Sequence, residues 1–144
     1  MTLMCTSDDV TKDEREAFLG MRRFSGAVDE LAEEQMDAAS ALSGCGPAFC
    51  YRFAEALSEG ALAAGLPKNK ALAYAFQTLL GSARLAKESG KHPAQLADEV
   101  TSPGGSTIRG LSVLARGGFE GLVMEAVEAA FLRTKELGHE KKEQ

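Results

Sequence analysis

The amino-acid sequence predicts an all-α fold, a helical bundle. Apolar residues recur at three- and four-residue spacing along most of the chain, its breaks carry helix start and stop signals, and alanine, the best helix former, is abundant. Its 144 residues fit one domain, and 44% apolar with 26% charged residues places it in the globular class.

Taken in order, Thr11-Lys12-Asp13-Glu14 has capping-box spacing and opens a helix over residues 11–24, which Ser25-Gly26 breaks. Residues 27–31 read as a short link. A second helix over 33–42 ends in Ser43-Gly44-Cys45-Gly46-Pro47, a tight helix-to-helix turn with Pro47 suited to the first position of the next helix. The third helix runs to Ala64. Gly65-Leu66-Pro67 pairs a terminating glycine with an initiating proline, so a fourth helix spans 68–89 and stops at Gly90. His92-Pro93 starts a short fifth helix, with His92 as its cap. Residues 101–105 break the chain, 106–115 continue as helix, Arg116-Gly117-Gly118 breaks it again, and 119–137 form the last helix. The polar tail, 139–144, is expected to fray.

The third and fourth helices are anomalous, because apolar residues cover their whole circumference, from Ala48 to Ala64 and from Ala71 to Ala86. One small bundle cannot bury two such helices, so a second subunit is expected to cover the remaining face in a homodimer. The competing reading is that alanine simply tolerates exposure.

Several classes are excluded or disfavoured. The net charge is -5 and the 16 Lys and Arg are scattered among acids, so no basic stripe offers itself to nucleic acid. No window approaches a membrane span, and the first residues lack signal-peptide order, which reads as a cytoplasmic chain. Cys5, Cys45 and Cys50 form no C-x-x-C, and with only His92 and His139 to add, no metal site is expected.

Two stretches remain. Ser43 to Ala48 lacks the residue order of a phosphate loop or a dinucleotide fingerprint. In T-S-P-G-G-S-T, residues 101–107, a helix starts near Ser106, and the amides of Gly104, Gly105, Ser106 and Thr107 have no helical acceptors. With the helix dipole behind them they suit a small anion, a carboxylate above all, with the hydroxyls of Ser102, Ser106 and Thr107 beside it. The plain alternative is an ordinary N-cap at Ser106 after a Pro-Gly turn. Glu55, the lone acid among the first turns of the most apolar helix, faces either a ligand or a solvated groove, and its spacing favours the groove.

These pieces, in order, resemble the C-terminal domain of the pyrroline-5-carboxylate reductase family. The resemblance runs from Met36-Asp37-Ala38 through Ala41-Leu42-Ser43-Gly44-Cys45-Gly46-Pro47-Ala48-Phe49, Glu55-Ala56-Leu57, Gly65-Leu66-Pro67, Gly81-Ser82-Ala83 and His92-Pro93. It continues through Val100 and the T-S-P-G-G-S-T element to Gly117-Gly118-Phe119, Glu125-Ala126-Val127-Glu128-Ala129 and Glu136-Leu137-Gly138. It departs from the family pattern at Cys45, Ser106 and Glu120, the last a reversal of charge.

The resemblance implies an interlocked helical homodimer, or a higher oligomer of dimers, acting in proline biosynthesis by reducing 1-pyrroline-5-carboxylate to L-proline with NADPH or NADH. It implies that Ser102, Pro103, Gly104, Gly105, Ser106 and Thr107 bind the substrate carboxylate. The Thr107 hydroxyl would lie near the ring nitrogen as hydrogen-bond or proton donor, and Glu55 would line the pocket. Residues 1–34 would correspond to the end of a nucleotide-binding domain and a linker, 35–138 to the dimerisation and substrate domain, and 139–144 to a tail. The rest of the nucleotide-binding domain is not found in the sequence. The chain is therefore expected to be a fragment or truncated product that binds no nicotinamide cofactor alone and is inactive alone. A non-catalytic dimer module and a small carboxylate sensor are the alternatives.

Overall fold

The computed structural model describes residues 1–24 and 26–140, with side chains as far as Gly138. Two short strands and seven α-helices follow one another as β1 Thr2–Met4, α1 Lys12–Arg22, β2 Val28–Glu30, α2 Glu33–Ser40, α3 Gly46–Ala63, α4 Lys68–Ser89, α5 Pro93–Glu99, α6 Ser106–Arg116 and α7 Phe119–Glu140. A π-helical turn, Ala41–Cys45, joins α2 to α3. The chain divides into two compact units, residues 1–47 with 124–144, and residues 48–123. The helical fold class holds. The expected break at Ser25 and the last part of the expected tail, 141–144, lie outside the described residues.

In the first unit, β1 and β2 pair in parallel, with Thr2, Leu3 and Met4 opposite Val28, Asp29 and Glu30. The ladder is extended by Thr2 N–H to the Ala27 carbonyl at 2.8 Å and Leu31 N–H to the Met4 carbonyl at 2.9 Å. Residues 27–31 are thus not the plain link the sequence suggested. The strand V-D-E holds one apolar residue and no alternation, and only its pairing with β1 reveals it. Between the strands, α1 opens with the expected capping box: the Glu14 amide donates to Thr11 Oγ1 at 3.3 Å, and the Thr11 amide donates to Glu14 Oε2 at 2.9 Å. The Thr11 hydroxyl, which donates to Glu14 Oε2 at 2.6 Å, and then the Thr11 amide hold the Glu14 carboxyl below its ordinary pKa.

A second correction concerns residues 43–47, where no turn separates the helices. The chain passes from α2 into α3 through the π turn, with Gly44 and Gly46 free of positive φ. The widened turn accommodates Pro47, whose missing N–H would break a regular α-helix. The Ser43 hydroxyl donates back to the Ala39 carbonyl at 2.8 Å.

In the second unit the punctuation acts as read. Gly65 sits at φ +99°, with its amide on the Leu62 carbonyl at 2.9 Å and the Leu66 amide on the Ala61 carbonyl at 3.0 Å, a Schellman ending that hands over to Pro67 and α4. Gly90 ends α4 at φ +64°, and His92 Nδ1 accepts from the Ala94 amide at 3.3 Å to cap α5. Phe53 of α3 and Phe119 at the start of α7 meet with ring centroids 5.6 Å apart.

The apolar interior is thin. Buried apolar residues are Met4, Ala41, Ala54, Ala71 and Ala75, and no large side chain is fully buried among the described residues. By contrast Tyr51, Leu62, Tyr74, Phe76, Leu80 and Leu85 of α3 and α4 are exposed, Leu80 at 64%. The two helices singled out by their circumference do leave large apolar side chains in water.

One ion pair fastens the first unit. Arg15 of α1 meets Glu30 of β2, while the Thr6 hydroxyl donates to the other Glu30 oxygen at 2.8 Å. Arg15, then Thr6, holds the Glu30 carboxyl below its ordinary pKa. A depressed folded-state pKa contributes stability above the unfolded value, and that contribution is lost as pH falls through the folded value. Arg15→Gln should therefore lower the Tm at neutral pH, and the two melting curves should converge as the medium is acidified through the carboxylate range. A gap that persisted in acid would contradict this assignment.

Candidate carboxylate-binding turn and helix start

Ser102, Pro103, Gly104 and Gly105 form a β-turn closed by the Gly105 amide on the Ser102 carbonyl at 3.0 Å. Proline in its second position and glycine at φ +71° in its third are the requirements of a type II turn. Pro103 presets its own backbone angle, and Gly104 occupies a left-handed conformation that costs other residues about 1–2 kcal/mol. Gly105 then takes an extended conformation, φ -69° and ψ 173°, as the N-cap of α6.

Gly105 is small for a reason visible in the turn. A Cβ on it would run into the Ser102 hydroxyl and lie 3.1 Å from the Ser102 carbonyl oxygen. Thus the first serine of the element folds beneath the second glycine.

This corrects two details of the sequence reading. The cap position belongs to Gly105, not Ser106, and no side chain caps α6. The Gly105 amide is spent inside the turn, so the open amides of the helix start are those of Ser106, Thr107 and Ile108. Uncapped amides with the dipole of an eleven-residue helix behind them favour an anion.

Around this start, Ser102 and Ser106 are exposed and Thr107 is half-buried. None of their hydroxyls makes a hydrogen bond to another described residue, so all three are available to a ligand. The α6 helix carries no acid in its first turn, and its Arg109 is exposed. Glu55 stands apart, on α3. It is half-exposed and ion-paired with Arg52 one turn earlier on the same helix. No hydrogen bond or ion pair among the described residues joins it to the turn.

Two further features were missed by the sequence reading. One is the Ile108 amide, hidden because the start of the open set depended on which residue was the cap. The other is Thr101, half-buried, whose hydroxyl donates to the Ala97 carbonyl at 2.6 Å. A threonine four residues beyond a helical carbonyl is the signal that could have found it. Among the described residues no group of His, Cys, Asp or Glu could hold a metal ion, the three cysteines are free, and no helix is long and apolar enough to cross a membrane.

The turn makes its own demand on the two glycines. Gly104→Ala should cost about 1–2 kcal/mol in urea unfolding for the left-handed backbone alone. Gly105→Ala should shift the turn amides in an NMR spectrum by displacing Ser102. Wild-type stability of Gly104→Ala would contradict the turn as described.

Comparison with known proteins places this geometry. The family model described as pyrroline-5-carboxylate reductase dimerisation matches residues 33–137. A pyrroline-5-carboxylate reductase of Glycine max is 50% identical over 112 residues, covering 78% of this chain and 41% of the relative. One from Synechocystis is 44% identical over 138 residues, covering 96% and 52% respectively. The crystal structure of the Plasmodium falciparum pyrroline carboxylate reductase with NADP bound superposes with a TM-score of 0.89 at 35% identity, over 94% of this chain and 52% of that one. The chain thus spans about half the length of the relatives it matches. With the family match extending through α2 to α7 and the turn before α6 inside it, the chain belongs to the pyrroline-5-carboxylate reductase dimerisation family.

Proposed function

We propose that this chain is the subunit-interface and substrate-binding part of an NAD(P)H-dependent enzyme that reduces 1-pyrroline-5-carboxylate to L-proline. The observation that carries this reading is the uncapped start of α6 behind the 102–105 turn, with three amides and three hydroxyls free to meet a carboxylate.

In this reading the amides of Ser106, Thr107 and Ile108 bind the carboxylate, and Ser102 and Ser106 add hydroxyl bonds. Pro103, Gly104 and Gly105 supply the shape of the turn. The carboxylate of a cyclic imino acid is one bond from the ring carbon beside nitrogen, so fixing it orients the C=N bond. When the neighbouring carbon accepts a hydride, the nitrogen must gain a proton. Thr107, half-buried beside the amides, is the group assigned to donate a hydrogen bond or proton there. Glu55 is assigned to the pocket wall, where it is ion-paired with Arg52.

The connection from β1 to α1, C-T-S-D-D-V-T, does not suit the pyrophosphate of a nicotinamide dinucleotide, since it has no glycine for a close backbone approach and carries two aspartates. In this reading residues 1–34 belong with a nucleotide-binding domain, 35–138 form the interface and substrate domain, and the cofactor is held by a surface beyond these residues.

The interface part rests on exposed apolar side chains: Tyr51 and Leu62 of α3 and Tyr74, Phe76, Leu80 and Leu85 of α4 all face water. An interlocked homodimer places the apolar faces of α3 and α4 against a second copy.

Titration with L-proline, followed by amide NMR, tests the site. Saturable shifts centred on Ser106, Thr107 and Ile108 are expected, and Thr107→Ala should weaken binding about two- to tenfold. No saturable shift at these amides would overturn the substrate-binding reading.

A further inference from the structure

We infer that Thr101 is a positioning residue: its hydroxyl ties the 102–105 turn to the last turn of α5 and so holds the α6 amides in place for the carboxylate. The inference rests on the carboxylate-site reading above for its ligand, but its geometry stands without one.

The turn has little else to hold it. Ser102, Pro103 and Gly104 are exposed, and the only hydrogen bond inside the turn is Gly105 to Ser102. Two glycines and exposed hydroxyls in succession are costly to order. A ligand bound by backbone amides is sensitive to that disorder, because it needs several N–H vectors converging at once.

Thr101 stands at the one fixed end of this segment. Three bonds converge on the end of α5: the Val100 amide to the Ala97 carbonyl at 3.3 Å, the Thr101 amide to the Asp98 carbonyl at 3.0 Å, and the Thr101 hydroxyl to the Ala97 carbonyl at 2.6 Å. The hydroxyl bond is the shortest of the three and the only one made by a side chain. It gives the Ala97 carbonyl a second and much shorter bond beside the long one from the Val100 amide, and it fixes χ1 of Thr101, so tying the residue that leads into the turn to the end of α5.

The base it is tied to is itself braced. Lys91 Nζ reaches Glu99 Oε1 at 2.7 Å across the length of α5, His92 caps its start, and Pro93 sits in its first turn. A short helix held at both ends provides a platform, and Thr101 transmits that rigidity to the turn.

The test compares Thr101→Val, Thr101→Ser and Thr134→Val. Thr134 is a matched control, since its hydroxyl makes the same bond, to the Ala130 carbonyl at 2.8 Å, also half-buried but in α7. By amide hydrogen exchange, Thr101→Val should speed exchange at Gly105 at least about fivefold while Thr101→Ser and Thr134→Val leave it near wild type. Where wild type binds L-proline, Thr101→Val should weaken that binding by a similar factor, with rescue in Thr101→Ser. Unchanged exchange at Gly105 in Thr101→Val, or equal effects of Thr101→Val and Thr134→Val, would overturn the inference. Failure of wild type to bind proline would instead overturn the carboxylate reading and leave the exchange test of Thr101 intact.

Discussion

The constraint on which the rest depends is that these helices carry more apolar surface than the chain can bury. The residues buried in α3 and α4 are small, Ala54, Ser58, Ala71 and Ala75, spaced four apart on each helix. Such stripes permit close backbone approach but remove little apolar area, while the large side chains, Tyr51, Leu62, Tyr74, Phe76 and Leu80, point into water. At roughly 25 cal/mol per Å² of apolar surface, each exposed leucine forgoes about 1.5–3 kcal/mol. On the proposed reading, a second copy of the chain covers these side chains and supplies that stability.

The candidate site inherits this dependence through its scaffold. The α6 helix is only moderately long, and its start is defined by a turn that has one internal hydrogen bond. What fixes the turn lies before it, in the braced α5 and Thr101, and what fixes the helix is its apolar side, where Ile108, Leu111 and Leu114 remain substantially exposed. Order in the amides and burial of the helix faces are thus parts of one problem. The chemistry needs only a few hydroxyls and N–H groups; holding them still is the larger task.

Legibility from sequence followed locality. The bounds of α4 could be read outright, because Gly65-Leu66-Pro67 and Gly90 set both ends by backbone conformation alone. The capping box of α1 and the His92 cap of α5 were equally local. What escaped the reading depended on partners or on competition between signals. β2 exists only because β1 lies beside it. At Gly44-Cys45-Gly46-Pro47 the turn signals were present, but the flanking helices continued through a widened turn that hosts the proline. In the functional element the residue types were legible, whereas the cap at Gly105 and the use of its amide within the turn were set by a carbonyl three residues back. Family resemblance, carried by an ordered set of such elements, reached further than any of them singly.

The most direct measurement of the central claim, that a second copy completes the core, is urea unfolding across a hundredfold range of chain concentration. If folding and association are one step, the midpoint rises with concentration and the site amides lose protection together with those of α3 and α4. A midpoint independent of concentration, with a monomeric mass of 15.2 kDa in the folded baseline, would contradict the account and require the exposed apolar faces to be stable in water as they stand.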